Sequence, residues 1–547
     1  MKRIVFLVLS LTASLAMAAG TRPNIVFIFT DDHAYQTIGA YGSNRNDTPN
    51  MDRLAKEGMK FTNCCVTNSL CSPSRAVVQT GKYGHLNGIE TNFLVFDNTQ
   101  QTFPKLLQKA GYQTAIVGKW HLECPATPGY DYSEVLIGQG PYYNPPMIRN
   151  GQRVQHTGHT TEIITDLSIE WLKNRDKSKP FMLMTQHKAP HRTCDPYPEY
   201  YEQYKDQVFP YPETFNDDYF GRGRAALEQD MTFADTMNMH DLKVSVPQQF
   251  LNSLTDEQRS AWQKMFDGRK AEYEAVKDDP VALTKWKYQC YMKDYMSCVA
   301  AVDAGIGRIL KCLEDEGIAE NTVVMYASDQ GFFLGEHGWF DKRWMYNESF
   351  KTSLLVRWPE QIKPGSVNND IVSNLDFAET FLDMAGVAIP EDMQGRSLVP
   401  IFQGKTPADW RTSFYYHFYE YPSHHMVKKH EGVYTGRLKL IHFYDDIDEW
   451  ELYDLEKDPD EFLNVYSKPE YAQERVRLHA ELERLKTELK VPPIEINTQS
   501  YLYDSETLTK RPPKFQAMAT PAFQQTFDRV RKAVEERQKV LQRNREN

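Results

Sequence analysis

No stretch of the sequence is apolar for long enough to cross a membrane; the most continuous one, residues 4–15, falls short of the roughly 20 residues a spanning helix needs. There is no internal repeat and no low-complexity tract, so solenoid and fibrous architectures are set aside. An excess of positive charge is also missing. Against 63 Lys and Arg stand 74 Asp and Glu, a formal net charge of −11, which argues against nucleic acid or an anionic membrane surface as partner. Cysteine is scarce, with eight residues (64, 65, 71, 124, 194, 290, 298 and 312) in a chain of 547. They could form disulfides in an oxidising compartment, but a chain this long does not need such staples and spacing assigns no pairing.

Residues 1–19 read as a secretory signal peptide, with Lys2 and Arg3 before the apolar run and Ala16-Met17-Ala18 as a small-residue cleavage site. No cysteine closely follows that site, which argues against a lipid anchor there. The expected mature protein is exported, periplasmic or secreted, with no membrane span.

Four short apolar runs then end abruptly in polar clusters. Residues 24–29 run into Thr30-Asp31-Asp32, and 112–117 into Gly118-Lys119-Trp120-His121. Residues 181–185 lead to His187-Lys188-Ala189-Pro190-His191, and 322–327 to Ser328-Asp329-Gln330-Gly331. Uninterrupted apolar runs of this length suit strands covered on both faces. In doubly wound α/β sheets, ligands gather along the carboxyl ends of such strands. The expected fold is therefore α/β, a large, mostly parallel central sheet sandwiched by helices, over residues 20–404. An insertion of loops and helices over about 196–285 interrupts it, where Tyr, Asp, Lys and Glu become dense and the alternation lapses. Residues 285–313 read as one or two helices. A smaller α+β domain on an antiparallel sheet follows over 405–496, with strands near 411–419 and 438–443 and a helix over 472–489. Residues 497–547 read as an arm and a charged helix.

Cys71-Ser72-Pro73-Ser74-Arg75 reads as a helix start, with Ser72 as its cap and Pro73 as its first residue. Cys71 would then stand at the positive helix end, where an anion is welcome. Asp31, Asp32, Asp329 and Gln330 offer oxygen ligands, a set for a hard cation, Ca²⁺ or Mg²⁺, rather than zinc. Ca²⁺ suits an irregular set slightly better. A second group is cationic: Arg75, Lys119, His121, His191 and Lys342. Were the chain to stay extended after Gly118, Lys119 and His121 would point to one side. His187 and His337 are read as structural.

These residues carry a resemblance to the type I sulfatases of the alkaline-phosphatase-like superfamily. The matching features are the aspartate pair after the first strand, C-S-P-S-R with T-G-K-Y downstream, G-K-W-H, A-P-H and S-D-Q-G followed by G-E-H-G-W-F-D-K. G-R-S-L at Gly395 and the later L-Y-D-L-E-K-D-P fit as well. The resemblance implies that a separate maturation enzyme, reading C-x-P-x-R, converts Cys71 to formylglycine. One hydroxyl of the hydrated aldehyde would attack sulfur, and the other would help expel sulfate. It further implies a divalent cation at Asp31, Asp32, Asp329 and Gln330, touching the hydroxyl at position 71. Arg75 and Lys119 would hold the modified side chain and the anion, and Lys342 and His191 the sulfate and leaving oxygens. His191 would be the general acid, and His121 would take a proton during release. Gln330 departs from the asparagine common in relatives but keeps an amide oxygen.

Export and aromatic-rich loops favour a sulfated glycan as substrate. The motifs resemble most the bacterial carbohydrate sulfatases of the N-acetylglucosamine-6-sulfatase kind, acting on glycosaminoglycan or mucin glycans, with iduronate 2-sulfate as the alternative. His424 and His425 of the small domain could reach over the pocket and read the sugar. Readings from other classes are a phosphatase or phosphodiesterase of the same superfamily, which would use Ser or Thr and extra zinc ligands, and a glycan-binding protein whose cysteine stays unconverted.

Overall fold

The computed structural model describes residues 22–219, 221–494 and 496. The signal peptide read over 1–19 and the arm and helix read over 497–547 lie outside the described residues. Eleven strands form one sheet: β1 Asn24–Asp31, β2 Met59–Cys65, β3 Gln113–Gly118, β4 Tyr132–Leu136, β5 Pro146–Arg149, β6 Gln152–Gln155, β7 Phe181–Pro190, β8 Thr322–Ser328, β9 Lys351–Arg357, β10 Ser366–Asn368 and β11 Val372–Ser373. Their order across the sheet is β10-β2-β9-β8-β1-β7-β3-β4-β5-β6, with β11 beside β2. β1 lies parallel to both neighbours, Phe27 facing Met184 of β7 and Met325 of β8. β9 and β5 run against the rest, so β1, β3, β7 and β8 all finish at one edge.

The expected two-sided covering is present. Ile25, Phe27 and Phe29 pack on one face, against the helices Cys71–Thr80, Phe103–Lys109 and Phe377–Met384. Val26 and Ile28 point to the other, against Thr160–Asn174 and Pro280–Asp315. Alternation within an all-apolar strand thus feeds two separate cores. The segment read as one or two helices is a single helix of 36 residues, Pro280–Asp315. It begins on Asp279, whose carboxylate accepts the N–H groups of Val281 and Ala282, with Pro280 in its first turn.

A second sheet is antiparallel throughout: β12 Phe414–Phe418, β13 His430–Tyr434, β14 Leu438–Phe443 and β15 Glu449–Asp454. Leu478, Leu482 and Leu485 of the helix Ala472–Glu488 pack on one of its faces, with Leu440 and Leu452. Its other face meets Trp339, Trp344 and Tyr346, which joins it to the loops over the main sheet. All eight cysteines are free thiols.

Candidate active site

The strand ends converge. Asp31 is the last residue of β1, and Asp329 and Gln330 directly follow β8. The helix begins at Cys71 itself, capped by the backbone of Leu70 with no side-chain cap. Ser72 therefore does not cap it, and Pro73 is its third residue. The Ser72 hydroxyl instead donates to the His121 carbonyl at 2.7 Å, and its backbone N–H donates to Asn92 Oδ1 at 3.0 Å. A helix end buried this deeply is satisfied by distant side chains rather than its own.

Cys71 Sγ lies 3.3 Å from Asp31 Oδ1 and 3.2 Å from Lys342 Nζ. Burial, with Asp31 adding, pushes its thiol well above the ordinary range. Lys119 Nζ donates to Asp31, and Lys342 Nζ donates to Asp32. Arg75 spans the floor, bonding Asp329 Oδ2 at 2.9 Å and Gln186 Oε1 at 2.6 Å, over the ring of Phe29. Burial opposes the charge on Asp31, but Lys119, His191, Arg75 and Lys342 outweigh it and hold that carboxyl well below the usual range. Asp32 is pushed up to about 6 by burial, with Lys342 opposing and Asp31 adding. Burial, again with Asp31 adding, takes Asp329 up to about 8. Three acids this close resist full ionisation until more positive charge joins them.

The exit from β3 does not stay extended. Gly118 takes φ +103°, and a Cβ there would lie 2.0 Å from the Gln186 carbonyl oxygen. His121 has φ 54°. What brings Lys119 and His121 together is Gln139, unforeseen in the sequence. Its Oε1 accepts from Lys119 Nζ at 2.6 Å, so its amide N–H faces His121 Nε2 at 3.1 Å. Lysine can only donate, which fixes the amide orientation. His191 closes the other side, with Nδ1 bonded to the Arg192 carbonyl and Nε2 3.7 Å from Asp32 Oδ2. Burial lowers both imidazoles well below their ordinary pKa, Lys119 adding at His121 and Asp31 opposing at His191.

His425 Nε2 is 3.0 Å from Asp341 Oδ2, and Arg343 Nη1 donates to Asp341 Oδ1 at 2.6 Å. Asp341 and Arg343 flank Lys342, so the small domain does touch the rim of the pocket. His424, one residue earlier, is exposed. Sequence reasoning missed Gln139, Gln186, Asp341 and Arg343; the only signal for the last two was their adjacency to Lys342. His337 binds Asp217 and Arg222 away from the site, and His187 is buried without a hydrogen bond.

The acids suit a cation. Asp31, Asp32 and Asp329 each present an oxygen within 4.8 Å of the others. Asp32 Oδ2 and Gln330 Oε1 are buried and accept no hydrogen bond, a costly state for an oxygen with no ligand to meet. All four donors are oxygens, the chemistry of a hard divalent ion.

A doubly wound sheet that gathers acids, fixed cations and a buried helix-start cysteine at its strand ends is laid out as a hydrolase for anionic esters. The chain belongs to the sulfatase family, whose profile matches residues 23–387, and a second profile, N-sulphoglucosamine sulphohydrolase, C-terminal, matches residues 335–488. It is 49% identical over 486 residues to the N-acetylglucosamine-6-O-sulfatase of Bacteroides thetaiotaomicron, covering 86% of this chain and 87% of that one. The human N-acetylglucosamine-6-sulfatase is 27% identical over 423 residues, 72% of this chain and 67% of its own. Among solved structures, BT4656 in complex with its substrate D-glucosamine-2-N,6-O-disulfate superposes with a TM-score of 0.84 at 48% identity, covering 86% of this chain and 98% of that one.

Proposed function

We propose that the protein removes the 6-O-sulfate of N-acetylglucosamine or a related glucosamine in a sulfated glycan, through a formylglycine derived from Cys71. The observation that carries this reading is the place of the Cys71 side chain, between the Asp31 carboxylate and the Lys342 ammonium. The 49% identical relative and the substrate held by the 48% identical structure support the choice of sugar.

A thiol has one hydrogen and no second hydroxyl, whereas a hydrated aldehyde at position 71 offers one hydroxyl to attack sulfur and another to help release sulfate. Asp31, Asp32, Asp329 and Gln330 would hold a divalent cation, with Ca²⁺ suited to the irregular oxygen set; such an ion supplies Lewis-acid charge and acidifies a hydroxyl. Fully ionised, the three carboxylates would only offset the three fixed cations, Arg75, Lys119 and Lys342. An added dication makes the pocket a positive well inside a protein of net charge −11.

Within that well Lys342 and Lys119 bind sulfate oxygens, and Arg75 braces the floor between Asp329 and Gln186. His191 donates its Nδ1–H to the Arg192 carbonyl and presents Nε2 to the pocket; protonated there once the sulfate anion is bound beside it, the ring passes that proton to the leaving sugar oxygen. His121 accepts the Gln139 amide N–H at Nε2, so its neutral ring carries its proton on Nδ1, and it takes a second proton at Nε2 in place of that hydrogen bond as sulfate leaves. His425 and Arg343 orient Asp341 at the rim, where sugar hydroxyls would meet it. Export through the segment at 1–19 places the protein where polymeric glycans occur; among the described residues no helix is long and apolar enough to cross a membrane.

The test is a panel of defined sulfated monosaccharides and disaccharides assayed for released sulfate, with mass spectrometry of the peptide holding position 71. Release from 6-O-sulfo-N-acetylglucosamine by converted protein is expected. Equal or faster release from iduronate 2-sulfate, or turnover by wholly unconverted protein, would overturn the reading.

A further inference from the structure

We propose that the cleft beside the sulfate pocket is a subsite for a second anionic group, a sulfate or a carboxylate, carried on the sugar next to the sulfated one. This rests on the sulfated-sugar reading above and narrows it toward chains charged at successive residues.

The cleft has a volume of about 1020 Å³ and lies between the segment after β4, the β5–β6 hairpin, the residues after β7 and the insertion. That is at the upper end of small-molecule sites and more than one monosaccharide fills. Its lining includes Lys188, Arg192, Arg153 and His240, with Asp195 as the one acid. Arg192 is already paired with Asp241 and Asp341, so the positive charge left for an anion is that of Lys188 and Arg153, held in a protein of net charge −11.

Lys188 is the strongest feature. It is only 5% exposed, yet among the described residues its ammonium has no hydrogen bond and no ion pair; the Tyr142 ring lies 5.0 Å away. A buried cation without a carboxylate is costly, and its burial is normally repaid by a partner. Burial, with Lys119 adding, pulls its pKa down to about 8, the response of an ammonium lacking its counter-charge. Arg153, on the hairpin opposite, is exposed and has no acidic partner among the described residues. Asp31 and Asp195 act on Lys188 only from beyond ion-pair distance, Asp195 lying 3.9 Å from Lys243 and accepting from Thr193 Oγ1 at 2.6 Å.

Arg192 joins the cleft to the sulfate pocket. It lines the cleft, while its guanidinium reaches Asp341 Oδ2 at 3.3 Å, the residue preceding Lys342. The two sites share that wall, so a glycan seated by its sulfate extends past Arg192 toward Lys188. Tyr142 offers a ring face for a sugar to lie on. A neighbouring sugar without charge brings no oxyanion into the cleft for Lys188, whereas an acidic one does.

The test uses three disaccharides of 6-O-sulfo-N-acetylglucosamine, in which the second sugar is a uronate, a sulfated hexose or neutral galactose. For the unaltered protein KM is expected to be about 10-fold lower for one or both charged substrates than for the neutral one, the worth of one charge-assisted hydrogen bond. The responding arm tells carboxylate from sulfate. In Lys188→Met, and separately in Arg153→Gln, which alters an exposed residue and spares folding, the charged-to-neutral KM ratio should approach one. Equal KM values in the unaltered protein, or a ratio both variants leave in place, would overturn the subsite. Should none of the three release sulfate, the reaction reading fails by itself. Calorimetric titration with the same disaccharides lacking the 6-O-sulfate then decides the cleft: charge-dependent binding lost in the variants upholds it, and indifference to charge sinks it.

Discussion

Just before β13 of the four-stranded sheet Lys428 is fully buried, 2.7 Å from both Asp446 and Glu228, and within β14 Lys439 lies 2.7 Å from Glu461. At the edge of the main sheet, Lys119, Lys342 and Arg75 are buried as deeply against Asp31, Asp32 and Asp329. Both regions pair cations with acids away from water, yet they differ in how the acids stand to one another. In the small sheet each lysine has its own carboxylates. In the pocket three carboxylates crowd together, two of them are pushed upward in pKa, and buried oxygens of Asp32 and Gln330 accept no hydrogen bond. Burial of charge alone therefore does not mark a functional site. Nor does a buried oxygen without a hydrogen bond, since Asp446 Oδ1 beside Lys428 is one as well; three carboxylates with oxygens within 4.8 Å of one another do.

The largest effect that tests this contrast is at the pocket. Cys71→Ala should lower kcat at least ~10³-fold while the melting temperature scarcely moves, because the group lost acts in the reaction rather than in the fold. Lys428→Met should do the opposite, costing about 3–5 kcal/mol of stability by stranding Asp446 and Glu228, with kcat unchanged. Urea unfolding and sulfate release on both variants check the pair. A large fall in activity from Lys428→Met in still-folded protein would erase the distinction. The double variant Lys439→Met/Glu461→Leu, which removes both halves of a pair but strands the N–H and Oδ1 of Asn347 that they bond, should cost less than Lys428→Met, about 1–3 kcal/mol.

Calcium sharpens the comparison at the next level. Added at about 100 times its dissociation constant, it should stabilise the protein by about 2.7 kcal/mol. Asp32→Asn should lose most of that gain, whereas Lys428→Met should keep all of it. Thermal melts across a calcium titration, after chelation, read this directly. Equal gains in both variants would place the ion elsewhere.

The sequence made the pocket legible because its acids and several of its cations stand directly after strands apolar on both faces, where the fold class puts ligands. Asp31, Lys119, His191 and Asp329 could be found from that pattern alone. Gln139 could not, since nothing local distinguishes an amide between two glycines; it matters only because a loop after β4 returns to Lys119 and His121. Ser72 misled for a related reason. Its position suits a cap, but the structure gives its hydroxyl a partner 49 residues away. Lys188 was in plain view beside His187, and only the missing counter-charge, a three-dimensional fact, set it apart.

Glu379 offers the mildest test, being a buried acid of neither kind. It lies on the helix Phe377–Met384, its Oε1 accepts the Gly395 N–H at 2.7 Å, and its Oε2 has no hydrogen bond. Burial, with Asp376 adding, pushes its pKa up to about 8. The folded value exceeds the unfolded one of about 4.5, so the folded state binds the extra proton. Its contribution to stability is complete below about pH 4.5, declines through the interval up to about 8, and is gone above it. The slope in that interval is at most about 1.4 kcal/mol per pH unit. Glu379→Gln keeps the shape and cannot ionise. The difference in unfolding free energy between parent and variant should therefore shift in the variant's favour between pH 5 and 8 and level off beyond. Subtracting the two curves removes every other titrating group they share. A flat difference would mean that Glu379 finds a partner in the folded protein, and that it belongs with Asp446 and Glu461 after all.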